Sequence, residues 1–293
     1  LAIGVVAAGL AIAPVIVSRG GATPWHALIW LLPVAAAGLL APYRPSWAEA
    51  VPESSRGAGD LYFGTFRTLP VIVYNQKLVA ESEAPRDWDD LLQPRFTGRV
   101  LIRDPIASGV MRTIFSMVLA RSERETGSTA RGLEWLARLD AQTKEYVANP
   151  ALLHEKVMRG EGEVTMWELT DILLERQKGV PFGYRFAASG TPVIDDAVAL
   201  ATGAPHRAAA LEFLEFVGSV EAQALAAERA FRIPARTDIP REKLPAWAQE
   251  VLTAMQPAVY DEALAAAKGQ EWMALWDRTV RGQGAATAAT SGR

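Results

Sequence analysis

The chain has 293 residues, a formal charge of −3 and 50% hydrophobic residues, which is room for one large or two medium domains with real cores. Near-neutral charge without a basic block argues against nucleic acid as the main partner. Cysteine is absent, so a disulfide framework, a thiolate metal site and a thiol nucleophile are all excluded.

Residues 1–18 are uncharged and built from Leu, Ala, Ile, Val, Gly, Pro and Ser, and Arg19 ends the run. Its length sits at the lower edge for a membrane span, roughly 18 residues or more. Residues 1–19 read as the apolar core of a secretion signal whose basic start is missing, with a signal anchor and a buried core helix as the alternatives. A second uncharged run covers 20–43. Pro33 interrupts it, His26 and two tryptophans stand near its start, and Gly38 and Pro42 close it, which favours a buried helix over 25–40 rather than a two-span hairpin.

From residue 60 strands and helices alternate. Val71, Ile72, Val73 and Tyr74 form a buried-strand run ended by Asn75, and 85–92 is a short helical turn closed by Pro94. A β-rich run over 99–103 stops at Asp104-Pro105, because proline cannot continue a ladder. Ser108 and Gly109 then stand where a helix over 110–121 begins, with Val110, Ile114, Met117 and Val118 at helical spacing. Unpaired N–H groups at such a helix start favour a negatively charged or strongly polar ligand group; an ordinary serine-capped turn is the plainer alternative. Helices follow over 132–139 and 150–159, a strand over 163–167, and a helix over 169–177. This alternation argues for an α/β architecture with largely parallel sheets. One long helix is expected over 204–231, further helices over 246–254 and 261–281, and a disordered Gly/Ala/Thr/Ser tail over 282–293.

Catalytic signatures are weak. His26, His154 and His206 are scattered without metal spacing, and neither a phosphate-cradling glycine loop nor a Gly-x-Ser-x-Gly elbow is present. Asp195 and Asp196 are adjacent in a predicted strand, so they point to opposite faces and make a poor acid pair.

Several segments together carry a resemblance: Gly38 to Tyr43, Val71 to Asn75, Pro85 to Leu92, the Asp-Pro-x-x-Ser-Gly of 104–109, and Gly190-Thr191-Pro192 followed by Ala204-Pro205-His206. In this order they are similar to the extracellular solute-binding proteins of ABC importers, in the branch holding ferric-iron, thiamine and 2-aminoethylphosphonate binders. The similarity spans about residues 38 to 282.

The resemblance implies an α/β, two-lobed fold of the type II periplasmic-binding-protein kind that closes on a solute. The first lobe would comprise 20–75 and 195–281 and lack its opening elements; the second would comprise 76–194. It implies a periplasmic, monomeric, non-catalytic protein, with no cofactor and no resident metal, delivering a small solute to the transmembrane subunits of a permease. Iron-binding members carry adjacent tyrosines after the strand matching 163–167, whereas this chain has Glu168, Leu169, Thr170 and Asp171. Trp167 and Asp171 suit an organic cation instead, by ring-face attraction and carboxylate pairing; a core aromatic and a helix cap are the plainer readings. The expected ligand residues are Ser108 and Gly109 for an anionic group, Arg67 as a facing cation, and Trp167, Thr170 and Asp171 for the organic part. The expected ligand order is a phosphonate or other small organic solute, then a thiamine-like cation, then ferric iron.

Overall fold

The computed structural model describes residue 35 and residues 37–282. The signal-like segment 1–19, most of the helix expected over 25–40 and the tail after residue 282 lie outside the described residues. Gly38 takes φ +70°, its N–H bonding to the Ala35 carbonyl at 3.0 Å, and Leu40 already belongs to a strand, so that helix does not extend to residue 40. Among the described residues no helix is long and apolar enough to cross a membrane.

In chain order, β1 is Leu40–Ala41, β2 Phe63–Thr68, β3 Pro70–Asn75 and β4 Val100–Arg103. Helices α1 (Gly109–Thr126) and α2 (Ala130–Gln142) follow, then β5 (Thr143–Val147) and α3 (Pro150–Met158). Next come β6 (Val164–Glu168), α4 (Leu169–Gln177), β7 (Phe182–Arg185), β8 (Ile194–Val198) and β9 (Leu200–Ala201). The chain continues through α5 (Arg207–Val217), α6 (Val220–Ala230), β10 (Ile233–Pro234), α7 (Ala246–Ala254) and α8 (Glu262–Thr279).

These elements form two compact units. The first takes the described residues up to Thr68 together with Ile194–Thr253; the second takes Leu69–Val193 and the described residues from Ala254 onward.

In the first unit, β10, β2 and β8 form an antiparallel sheet and β1 pairs with β9. Its core gathers Trp47, Phe63, Leu200 and Leu214. The Trp47 indole meets Phe63 edge-on at 5.8 Å, and its N–H donates to the Leu214 carbonyl at 2.9 Å, which removes the cost of burying that donor. The single helix expected over 204–231 is two helices. Gly218 lies so close to Trp47 that an added Cβ would meet the indole at 1.8 Å, and Ser219 then caps α6 by accepting from the Ala222 N–H at 3.1 Å.

In the second unit the strand order is β5-β4-β6-β3-β7. β4 is parallel to β5 and β6, whereas β3 is antiparallel to both β6 and β7. The expectation of largely parallel sheets is therefore corrected. β3 enters this sheet directly from β2 of the first unit, with only Leu69 between them, and runs against both strands it pairs with. Residues 71–75, expected in the first lobe, instead form an interior strand of the second unit's sheet, between β6 and β7. The segment 262–279 moves as well: α8 packs along α1, with Trp276 fully buried between Phe115 (5.3 Å) and Tyr146 (5.2 Å). Gly269 allows the approach, since a Cβ there would sit 3.1 Å from Ser116 Oγ.

Candidate functional site

Three strands of the second unit, β5, β4 and β6, run parallel, so their C-terminal ends share one edge of the sheet. Each feeds a helix there: β4 leads to α1, β5 to α3 and β6 to α4. Three helix N-termini, each with N–H groups that lack intrahelical partners, therefore gather at the position where open α/β sheets collect ligands.

The first turn is the most completely built. The Asp104 N–H donates to the Val147 carbonyl at 3.0 Å, tying the loop to β5. Its carboxylate accepts from the Ile106 N–H at 2.8 Å and lies 2.7 Å from the Arg281 guanidinium. Ser108 is buried in extended conformation and its Oγ accepts from the Met111 N–H at 3.3 Å, so it is the N-cap of α1 with Gly109 as the first helical residue. Asn149 caps α3, accepting from the Leu152 N–H at 3.2 Å, with Pro150 at its first position.

At the third turn Trp167 is 2% exposed, and its indole N–H donates to Asp171 Oδ2 at 2.8 Å. Asp171 thus stands in the first turn of α4, where the helix dipole favours its charge, while Thr170 beside it is buried. The Trp167 ring meets His154 of α3 edge-on at 5.9 Å. Burial holds the His154 pKa below its ordinary value, with Asp171, Glu175 and Lys178 as the charged groups that face it.

The structure therefore brings Ser108, Gly109, Trp167, Thr170 and Asp171 to the ends of two adjacent strands. Arg67 belongs to the first unit, on β2, where its guanidinium lies 3.7 Å from Asp195 and donates to the Ala235 carbonyl at 3.3 Å. Asp195 and Asp196 do take separate partners: Asp195 accepts from Ser55 Oγ, and Asp196 accepts from Thr68 Oγ1 at 3.2 Å with Arg232 at 3.6 Å. Burial pushes both carboxyl pKa values up, that of Asp196 to about 7.

Two arginines near the edge have no part in the sequence reading. Arg103 ends β4 and is 4% exposed; Arg112 lies in the first turn of α1. The available signal is a guanidinium closing the apolar run Val100, Leu101, Ile102. Among the described residues no three His, Cys, Asp or Glu side chains gather in a way that could hold a metal ion. A concavity of about 260 Å³ in the second unit runs along the C-terminal half of α1, lined by Asp89, Arg121, Arg131 and Trp135 among others, and its lining includes none of the expected ligand residues.

Comparison with known proteins agrees with this architecture. The chain is 28% identical over 218 residues to iron uptake protein A1 of Synechocystis, covering 70% of this chain and 59% of that protein. It is 27% identical over 252 residues to a Salmonella typhimurium periplasmic protein named for 2-aminoethylphosphonate binding, covering 83% and 67%. The chain thus spans under two thirds of the length of the iron uptake relative. Its fold is similar to that of the apo ferric ion-binding protein A of Pasteurella haemolytica, with a TM-score of 0.73 at 18% identity over 93% of this chain and 87% of the other. A mixed α/β fold of the periplasmic binding protein kind is thereby shown. Residues 30–253 match the model of the bacterial extracellular solute-binding proteins, and the chain belongs to that family.

Proposed function

We propose that this chain is the solute-binding component of an ABC importer, capturing a small solute outside the cytoplasmic membrane and presenting it to the permease, without transforming it. The observation that carries the reading is the edge of the second unit, where α1, α3 and α4 all begin at the ends of parallel strands. Ser108, Gly109, Thr170 and Asp171 are the proposed ligand contacts, with Trp167 holding Asp171 in place through its indole N–H. The amides that open α1 suit an anionic group, and the Asp171 carboxylate suits a cationic one. A solute carrying both, such as an aminoalkylphosphonate, matches this pair, and a relative is named for such a ligand.

A second reading, ferric iron, is favoured by the iron uptake relative. The turn after β6 offers it Glu168 and Asp171 but no tyrosine. Thermal-shift measurement with 2-aminoethylphosphonate, inorganic phosphate, thiamine and ferric citrate tests the proposal. A rise in Tm with the phosphonate is expected. A rise with ferric citrate and none with the organic solutes would replace the first reading by the second.

A further inference from the structure

The turn that leads into α1 is organised by Asp104. Its N–H donates to the Val147 carbonyl at 3.0 Å, and its carbonyl accepts from the Ala107 and Ser108 N–H groups at 3.2 and 2.9 Å. Its carboxylate accepts from the Ile106 N–H at 2.8 Å. Ile106 and Ala107 at the tip are exposed, so polar ties rather than burial hold this stretch. The carboxylate tie is open to loss by side-chain rotation toward water, because Asp104 is itself partly exposed.

Arg281, two residues past the end of α8, meets that carboxylate at 2.7 Å and reaches Asp277 with its other terminal nitrogen at 3.1 Å. The centre of its guanidinium lies 4.9 Å from the Trp276 ring and 5.2 Å from the Tyr146 ring of β5. The backbone around it is fixed as well. The Arg281 N–H donates to the Trp276 carbonyl at 3.2 Å, and the Gly282 N–H donates to Asp140 at 3.0 Å. Asp140 is buried on α2 and also accepts from the Tyr146 hydroxyl at 2.8 Å. The guanidinium thus stands on a rigid support, and Asp104 is held against it. Asp104 also acts on the charge of its neighbour Arg103, so what Arg281 adds is geometry as much as charge: a planar fork that reaches two carboxylates while facing two rings.

We propose that Arg281 is a positioning residue for solute binding: it fixes the Asp104 carboxylate, and through it the turn 104–108 that presents Ser108 and Gly109. This rests on the solute-capture reading and adds to it a residue that touches no solute. Arg281 lies beyond residue 253, where the match to the family ends, so the tie belongs to the C-terminal part of this chain. The Asp104 contact is a partly exposed ion pair, so its loss costs the whole fold little and the turn it holds much more.

Two measurements test the proposal: hydrogen exchange read by mass spectrometry, and titration calorimetry with 2-aminoethylphosphonate, inorganic phosphate, thiamine and ferric citrate. They are made on the wild type, Arg281→Met, Arg281→Lys, Asp104→Asn and the double variant Arg281→Met/Asp104→Asn, with circular dichroism checking each fold. Arg281→Met is expected to speed exchange over 104–109 roughly fivefold while the β3 amides keep their wild-type rates. It is also expected to weaken, by roughly the same factor, binding of the panel member that the wild type takes. Arg281→Lys recovers part of both losses, and the double variant binds no more weakly than Arg281→Met, because both changes remove one tie. Unchanged exchange over 104–109 or wild-type affinity in a folded Arg281→Met overturns the proposal. So do faster exchange in β3 as well, which marks general destabilisation, and losses that add in the double variant. Should Arg281→Met fail to fold, wild-type exchange and affinity in Asp104→Asn overturn it. In each of these cases solute capture stands, since the wild type still binds. If nothing in the panel binds the wild type, solute capture falls and the binding role of Arg281 falls with it.

Discussion

Asp196 offers a direct test of the electrostatics of the first unit. Its carboxylate lies on β8 beneath β2, faced by Thr68 Oγ1 at 3.2 Å, the Arg232 guanidinium at 3.6 Å and the neighbouring Asp195. Burial is the largest influence and outweighs the attraction of Arg232, so the carboxyl pKa rises to about 7. The sign follows from linkage. In the unfolded chain the group titrates near 3.9, so between that value and about 7 the folded state binds one more proton than the unfolded state. Stability from this group is therefore fully present in acid and is lost as pH rises toward neutrality. Integrated from pH 5 to pH 8, the loss is about 2–3 kcal/mol. Asp196→Asn keeps the shape and removes the titration. Urea unfolding of both proteins at pH 5, 6, 7 and 8 should show the wild type losing about 2–3 kcal/mol relative to the variant across that range. Parallel stability curves would refute the reasoning, because they would mean that Arg232 and Thr68 hold the carboxylate ionised in the folded state.

Further outcomes follow from the same structure. His154, whose pKa burial holds below 6.5, should act in the opposite sense: the wild type loses stability relative to His154→Phe as pH falls from 7 to 5, measured by the same unfolding series. Ser108→Ala removes the cap of α1 and is expected to cost about 1 kcal/mol in urea unfolding. Trp276→Ala empties the space between Phe115 and Tyr146 and should cost roughly 3–5 kcal/mol, read as a lowered urea midpoint of the second unit. Gly218→Ala drives a methyl group into Trp47 and is expected to cost about 1–3 kcal/mol, with a changed near-ultraviolet circular dichroism signal from that indole.

Local chemistry made much of the chain legible. Ser108 caps α1 where a serine precedes an apolar periodic run, and Pro105 breaks the strand before it. The residues 169–177 expected as helical are α4 without shift. Strands with polar alternation were harder to read: β5, Thr-Lys-Glu-Tyr-Val, is an edge strand with a partly wet face, and β2 carries Thr65 and Arg67, whose polar groups find partners only across the sheet. The break at Gly218 is invisible locally, because Trp47, 171 positions earlier in the chain, is what demands a glycine there.

By itself the sequence determined the types of most elements, their caps and the ordered motifs of the family, because these depend on residues within a few positions of each other. The tertiary structure alone decided that β3 runs antiparallel, that α8 joins the second unit, and that three helix starts share one edge. It also decided that Asp104 pairs with Arg281, far along the chain, at 2.7 Å. Such outcomes depend on strand register and on what lies within a few ångströms in space, and neither is encoded by neighbours along the chain.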